Sequence, residues 1–158
     1  MKLRLPFTSL FSAISKLYGV QVFWRKVHRA LALHRRGEVR ADGLQLTLAK
    51  THLKIEWIAR EVHPWNRDLP SEKIERLFSE QCLADTAAAI SRLFEEVPVL
   101  DSIELCVRRA PDEPAILAGT VHRKDLCENT HISIGMRLRT LGLRFKLTSE
   151  RLEPVDGF

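Results

Sequence analysis

The chain has few of the residues that build disulfide frameworks or metal sites. Its 158 residues include three widely spaced cysteines, Cys82, Cys106 and Cys127, which form no CxxC pair and no Cys/His ligand pattern. The cysteine spacing therefore argues against a zinc knuckle. An odd, scattered count suits free thiols in a reducing compartment better than disulfides. We expect no metal and no cofactor. The expected location is cytoplasmic, with peripheral contact to a membrane as a further option.

The motifs of the common enzyme classes are also missing. The chain contains no P-loop, GxGxxG, HExxH or GxSxG pattern, so nucleotide-binding and hydrolase signatures are absent. Pro111–Asp112 followed by His122–Lys124 is the nearest approach to a metal-dependent nuclease motif. One strand of about ten residues would separate the two groups by roughly 30 Å, so they cannot share an ion. These absences favour a binding protein over an enzyme.

Acidic residues are absent from the first 36 positions. The basic residues there are Lys2, Arg4, Lys16, Arg25, Lys26, Arg29, Arg35 and Arg36. This segment carries +8, so the remaining residues carry −3 of the net charge of +5. Charge this uneven indicates an anionic partner for the N-terminal segment. Polar and basic residues interrupt every window of the ~20 apolar residues that a membrane span needs.

Periodicity predicts a helix over residues 7–35, with Gly19 as a break and Gly37 as its end. Aromatic residues accompany the basic ones, which is the composition of an interfacial helix. The candidate partners are an anionic membrane surface, a partner protein or, less favoured, nucleic acid. The alternative is a helix that packs its apolar side on the body and exposes lysine and arginine to water. We expect residues 22–33 to pack on the body.

The body reads as strands and helices in alternation. Apolar residues alternate in residues 44–50 and 53–62, which predicts a hairpin. A long amphipathic helix is predicted over residues 70–96, and Pro98 ends it. A second hairpin covers residues 103–123. A short helix around Ser133–Leu141 and a strand at residues 143–147 follow.

These elements predict an α+β fold. It consists of an N-terminal helix, two β-hairpins each followed by a helix, and a final strand, with an antiparallel sheet packed on the helices. The predicted division is a basic amphipathic helix at residues 1–36, a single α+β domain at residues 37–150 and a tail at residues 151–158. The predicted core residues are Ile55, Trp57, Phe78, Ile90, Phe94, Ile103, Leu105 and Phe145.

The stretch EVHPWNRDLP, residues 61–70, is the best candidate site in the body. His63 with Glu61 or Asp68 would make an acid–base pair, which is the enzyme alternative. Each residue also has a structural use, because the stretch joins a strand to the long helix. Asp68 or Ser71 would cap that helix, and Trp65 or Leu69 would pack back on it. We favour the structural interpretation of this loop.

Overall fold

The computed structural model describes residues 7–31, 45–126 and 131–155, with the backbone alone for residues 7–18. In chain order the elements are α1 (Phe7–Leu31), β1 (Gln45–Ala49), β2 (His52–Ile58), α2 (Ser71–Glu96), β3 (Ser102–Arg108), β4 (Ala115–His122), α3 (Ile134–Thr140), β5 (Leu143–Arg144), β6 (Lys146–Thr148) and β7 (Arg151–Glu153). The predicted α+β class is confirmed.

The main sheet is mixed and has the strand order β1-β2-β3-β4-β5. The hairpins β1–β2 and β3–β4 are antiparallel, as predicted, and β5 pairs antiparallel with β4. The pair β2–β3 is parallel, so the prediction of an antiparallel sheet is wrong there. The reason is the 26-residue helix between them, because a crossover of that length returns the chain to the end of the sheet where β2 began.

Helix α2 occupies Ser71–Glu96, one residue shorter than the predicted range. Its N-cap is Pro70, and no side chain of the described residues caps its first turn. The predicted caps at Asp68 and Ser71 are therefore wrong. The carbonyl of Pro70 instead accepts hydrogen bonds from the backbone N–H groups of Lys73 and Ile74, at 2.9 and 3.1 Å.

One hydrophobic core joins the sheet to the helices, and it contains all eight core residues predicted above. Helix α1 contributes Val27, Ala30 and Leu31 to it, so the described part of residues 22–33 packs on the body as expected. The helix runs unbroken through Gly19, and the predicted break is wrong. Its predicted end at Gly37 lies outside the described residues.

The predicted final strand is two short strands. Leu143 pairs with Gly119 of β4, whereas Lys146 pairs with Glu153 in a separate hairpin. Between β6 and β7, Ser149 and Glu150 have φ values of 49° and 68°, the left-handed geometry of a tight hairpin turn. No glycine or asparagine marks this turn in the sequence, and for that reason the sequence pattern did not predict it.

Candidate functional sites

The loop of residues 61–70 leaves β2 and enters α2 through a single 3-10 turn at Pro64–Asn66. The ring nitrogen Nδ1 of His63 accepts a hydrogen bond from the backbone N–H of Trp65 at 3.3 Å. His63 therefore caps the 3-10 turn, a structural use that the sequence pattern did not predict for it. The proline after it holds His63 in an extended conformation, with φ −53° and ψ 137°.

A shallow pocket of about 160 Å³ opens beside this turn. Its lining consists of Glu61, Val62, His63, Asn66, Arg67 and Ile74. The structure thus brings together two of the three predicted site residues, Glu61 and His63. Asp68 is exposed and is not part of the lining. Their function as an acid–base pair stays a prediction.

Trp65 lies on the rim of the loop and is 88% exposed. Its ring meets the His63 imidazole edge to face, with centroids 5.3 Å apart. The expectation that Trp65 packs back on α2 is therefore wrong. An exposed tryptophan beside a pocket is the residue type that often anchors a partner at an interface.

A second group of polar residues lies on the sheet face opposite the core. On β2 and β3 the apolar residues at 53, 55, 103 and 105 are fully buried, so their neighbours in sequence face the other way. We call this the polar face; its charged and polar residues on these strands are His52, Lys54, Glu56, Ser102, Glu104 and Arg108.

A chain of side-chain contacts runs across the polar face. The hydroxyl Oγ of Ser102 lies 2.7 Å from Nδ1 of His52. Nε2 of the same ring lies 3.4 Å from Oε2 of Glu104, and the other carboxylate oxygen lies 3.0 Å from Nζ of Lys54. Serine, histidine and carboxylate are thus connected in that order, and a lysine holds the carboxylate.

This network sets the charge of its members. The hydrogen bond from Lys54, with help from His52, lowers the pKa of Glu104, and the bond to Glu104 raises the pKa of Lys54. Both groups are therefore charged near neutral pH, and Glu104 can only accept hydrogen bonds. Charges on the polar face are paired rather than of one sign, which disfavours this face as the anion-binding surface.

The sequence analysis missed this group. Ser102 and His52 are 50 positions apart, and only the parallel register of β2 and β3 places them opposite one another. The alternation within each strand places Lys54 on the polar side of β2, and Glu104 and Arg108 on the polar side of β3. What it lacked was the identity of the neighbouring strands.

The basic residues of α1 lie opposite the side that enters the core. Arg25, Lys26 and Arg29 are exposed, whereas Val27 and Ala30 are at most 1% exposed. None of the three has an ion-pair partner among the residues that the structure describes. Of the other predicted anion-binding residues, Lys2, Arg4, Arg35 and Arg36 lie outside the described residues, and Lys16 lies where only the backbone is described.

Within residues 7–31, 45–126 and 131–155, no three histidine, cysteine or acidic side chains are grouped to hold a metal ion. Among the helices that the structure describes, none is long and apolar enough to cross a membrane. No protein-family model matches the chain, and no curated protein or solved structure is detectably similar to it.

Proposed function

We propose that the protein is a binding module that attaches to an anionic membrane surface through helix α1. The observation that carries the proposal is the exposed basic face of this helix, formed by Arg25, Lys26 and Arg29 opposite the residues that fix the helix to the core. A helix held in this way presents its cations at a constant angle to a flat surface.

The contacts of α1 support attachment through the helix rather than through the sheet. Where its side chains are described, packing against the core begins at Phe23, and residues 19–21 are exposed. The helix has 25 residues and a length of roughly 37 Å at 1.5 Å per residue. Among the side chains that the structure describes, those that join α1 to the body therefore lie within residues 23–31.

Composition favours a lipid surface over nucleic acid. Ahead of the part that packs on the core, the acid-free segment contains Phe7, Phe11 and Tyr18, and aromatic residues next to basic ones are typical of a helix at a lipid interface. Each lysine or arginine near an anionic surface contributes about 1 kcal/mol. Three such residues would therefore change the affinity by roughly a hundredfold.

The test is cosedimentation with vesicles of phosphatidylcholine alone and of phosphatidylcholine with phosphatidylserine. We expect binding to the anionic vesicles and its loss in a variant with Arg25→Glu, Lys26→Glu and Arg29→Glu. The matched control carries Lys73→Glu, Lys124→Glu and Lys146→Glu, which makes the same change of net charge at exposed positions outside α1. The control should retain most of the binding.

Equal binding by both triple variants would contradict the proposal, because net charge alone would then explain the attachment. A gel-shift assay with a 30-base-pair duplex, repeated at rising salt, tests the nucleic-acid alternative. Duplex binding that falls steeply with salt, without vesicle binding, would favour that alternative.

The second candidate is a small enzyme with an acid–base site in the 61–70 loop, supported by the pocket that Glu61 and His63 share. The measurement is the metal content of the purified chain and of His63→Ala, since a hydrolytic site of this kind often holds a metal. We expect no difference. Stoichiometric zinc or manganese in the unchanged chain, and its loss in His63→Ala, would favour the enzyme over the binding module.

A further inference from the structure

Ser102 occupies the middle of a row of side chains that crosses three strands on the polar face. Its register partners are His52 on β2 and His122 on β4. Directly opposed residues point to the same side of a sheet with Cβ atoms about 4.5–5.5 Å apart. Ser102 therefore has a histidine beside it on each neighbouring strand, and the His52 ring contacts its hydroxyl.

The direction of the hydrogen bonds follows from the charge of Glu104. Its pKa is lowered, first by the bond from Lys54, so it is ionised near neutral pH and accepts a hydrogen bond from the Nε2–H group of His52. A neutral imidazole with its proton on Nε2 has a bare Nδ1. That nitrogen, 2.7 Å from Oγ, accepts the hydrogen bond of the Ser102 hydroxyl.

We propose that Ser102 is a nucleophile activated by His52, with carboxylic esters as its class of substrate. In the first step Oγ attacks the ester carbonyl carbon, the hydroxyl proton moves to Nδ1 of His52, and the carbonyl electron pair moves to oxygen. The intermediate collapses when the alkoxide leaves and takes that proton, which gives an acyl-serine and an alcohol. Water then repeats the sequence on the acyl-serine, and a carboxylic acid is released.

The arrangement meets the needs of a serine–histidine–carboxylate site with the two ring nitrogens exchanged. The chemistry needs one ring nitrogen that takes the serine proton and a carboxylate that accepts the hydrogen bond of the other ring nitrogen. The 3.4 Å contact between His52 and Glu104 is longer than an ordinary hydrogen bond. Contacts of this kind are often loose before substrate binds.

The other residues of the network have supporting functions. Glu104 is a positioning residue, because it acts through the tautomer of His52, and Lys54 orients Glu104. His122 is exposed on the far side of Ser102, where a ring N–H can donate to the oxyanion. Ser102 itself is 9% exposed and lies on the polar face, so a substrate would approach from that side of the sheet.

The experiment uses the full chain and a fluorophosphonate probe. Oγ displaces fluoride from phosphorus and the hydroxyl proton passes to His52, so the adduct gains the phosphonyl group. We expect one adduct, which peptide mass spectrometry places on Ser102. Ser102→Ala should abolish it, and His52→Ala should slow it about a hundredfold, the contribution of a general base.

Chemical rescue separates activation from a structural function. Imidazole added to His52→Ala should restore part of the labelling, and Glu104→Asp should label faster than Glu104→Gln. Release of p-nitrophenolate from p-nitrophenyl acetate should follow the same order of variants. Thermal unfolding of each variant confirms that it is folded.

Two controls for the labelling experiment show which results would contradict the proposal. Ser71→Ala changes an exposed serine outside the network and should label as the unchanged chain does. The chain unfolded in urea should not label. If the folded chain labels no faster than the unfolded chain, or if labelling persists in Ser102→Ala, the contacts only tie β2 to β3 and the proposal is wrong.

Discussion

Among single residues, Phe94 tests which face of α2 is buried in the core. Phe94 is 2% exposed, and the Arg123 guanidinium lies 4.8 Å from the centre of its ring. Phe94→Ala should lower the free energy of unfolding by ~3–5 kcal/mol, as is usual for a buried phenylalanine. Urea denaturation measures it. Val99→Ala, at a residue that is 61% exposed, is the control and should change stability by less than ~0.5 kcal/mol.

Gly119 shows where the fold admits no side chain. An added Cβ would lie 2.5 Å from the carbonyl oxygen of Gly142, at a residue whose φ is +154°. Gly119→Ala should therefore cost roughly 1–3 kcal/mol, since two backbones must separate. Gly19 has nothing within 4 Å of such a Cβ, so Gly19→Ala in α1 should be neutral or stabilising by up to ~1 kcal/mol. Thermal melts of both variants decide whether the expected signs hold.

The pair Glu75–Arg109 predicts a dependence of stability on pH. Two hydrogen bonds of 2.6 and 2.8 Å join the side chains, and they lower the pKa of Glu75 from its ordinary value of 4.5. A carboxylate with a lowered pKa stabilises the fold above its ordinary value, and this stability is lost as pH falls through the lower value. Glu75→Gln should therefore be less stable than the unchanged chain at pH 7.

The difference in stability between Glu75→Gln and the unchanged chain should become smaller at pH values below 4.5. At those pH values the unchanged chain also loses the interaction of the Glu75 carboxylate with Arg109. Urea midpoints at a series of pH values provide the measurement. Glu95→Gln, at an exposed position of the same helix, is the control and should show a small difference that does not vary with pH. A constant deficit for Glu75→Gln would mean that packing, not charge, explains its effect.

At the scale of elements, the end of α2 depends on a residue from another part of the chain. The Arg123 guanidinium donates hydrogen bonds to the backbone carbonyls of Phe94, Val97 and Leu100, at 2.9, 2.9 and 2.7 Å. Carbonyls at the end of a helix have no partners within it, so a cation that bonds them is stabilising. Arg123 thereby fixes the end of α2 to the end of β4.

Arg123→Met keeps the apolar stem and removes these bonds. The variant should lose about 1.5–3 kcal/mol, the range for hydrogen bonds to a charged group. Hydrogen exchange should show faster opening of the amides near the end of α2. Lys124→Met, at the exposed neighbouring position, should leave both measurements unchanged; equal losses in the two variants would contradict this function of Arg123.

The strands β2 and β3 show what the alternation of apolar residues can and cannot predict. The alternation of apolar residues correctly predicted the buried side of β2 and of β3, including Ile55 and Leu105. It did not predict that β2 and β3 are parallel neighbours. Period-two alternation fixes which side of a strand is buried, whereas neighbours depend on the path of the connecting helix.

At the scale of the whole molecule, α1 is expected to divide into a packed part and a surface-seeking part. Deletion of residues 2–18 removes three basic groups but none of the described core residues, so this form should still unfold cooperatively. Deletion of residues 2–36 removes Val27, Ala30 and Leu31 from the core and exposes the face of α2 beneath them. That form should aggregate or lose cooperativity.

Chemical denaturation and light scattering of both forms test this division. The shorter deletion should also reduce cosedimentation with anionic vesicles, because Lys2, Arg4 and Lys16 each contribute about 1 kcal/mol near the surface. Unchanged vesicle recovery in the shorter deletion would limit the binding surface to Arg25, Lys26 and Arg29. Cooperative unfolding of the longer deletion would mean that α1 is dispensable to the core.

Features that depend on neighbouring positions in the chain could be predicted from the sequence. These are α2 to within one residue, the hairpin β3–β4 and the short helix around Ser133–Leu141, because periodicity and proline act locally. The sequence also determined the charge asymmetry, which is a matter of composition alone.

Contacts between residues that are distant in the sequence could not be predicted from it. The contact between His52 and Ser102 depends on the parallel register, and the bonds of Arg123 to the end of α2 depend on where β4 ends. The physical reason is that contacts between residues far apart in sequence are set by the packing of whole elements, which optimises the burial of apolar surface rather than any local pattern.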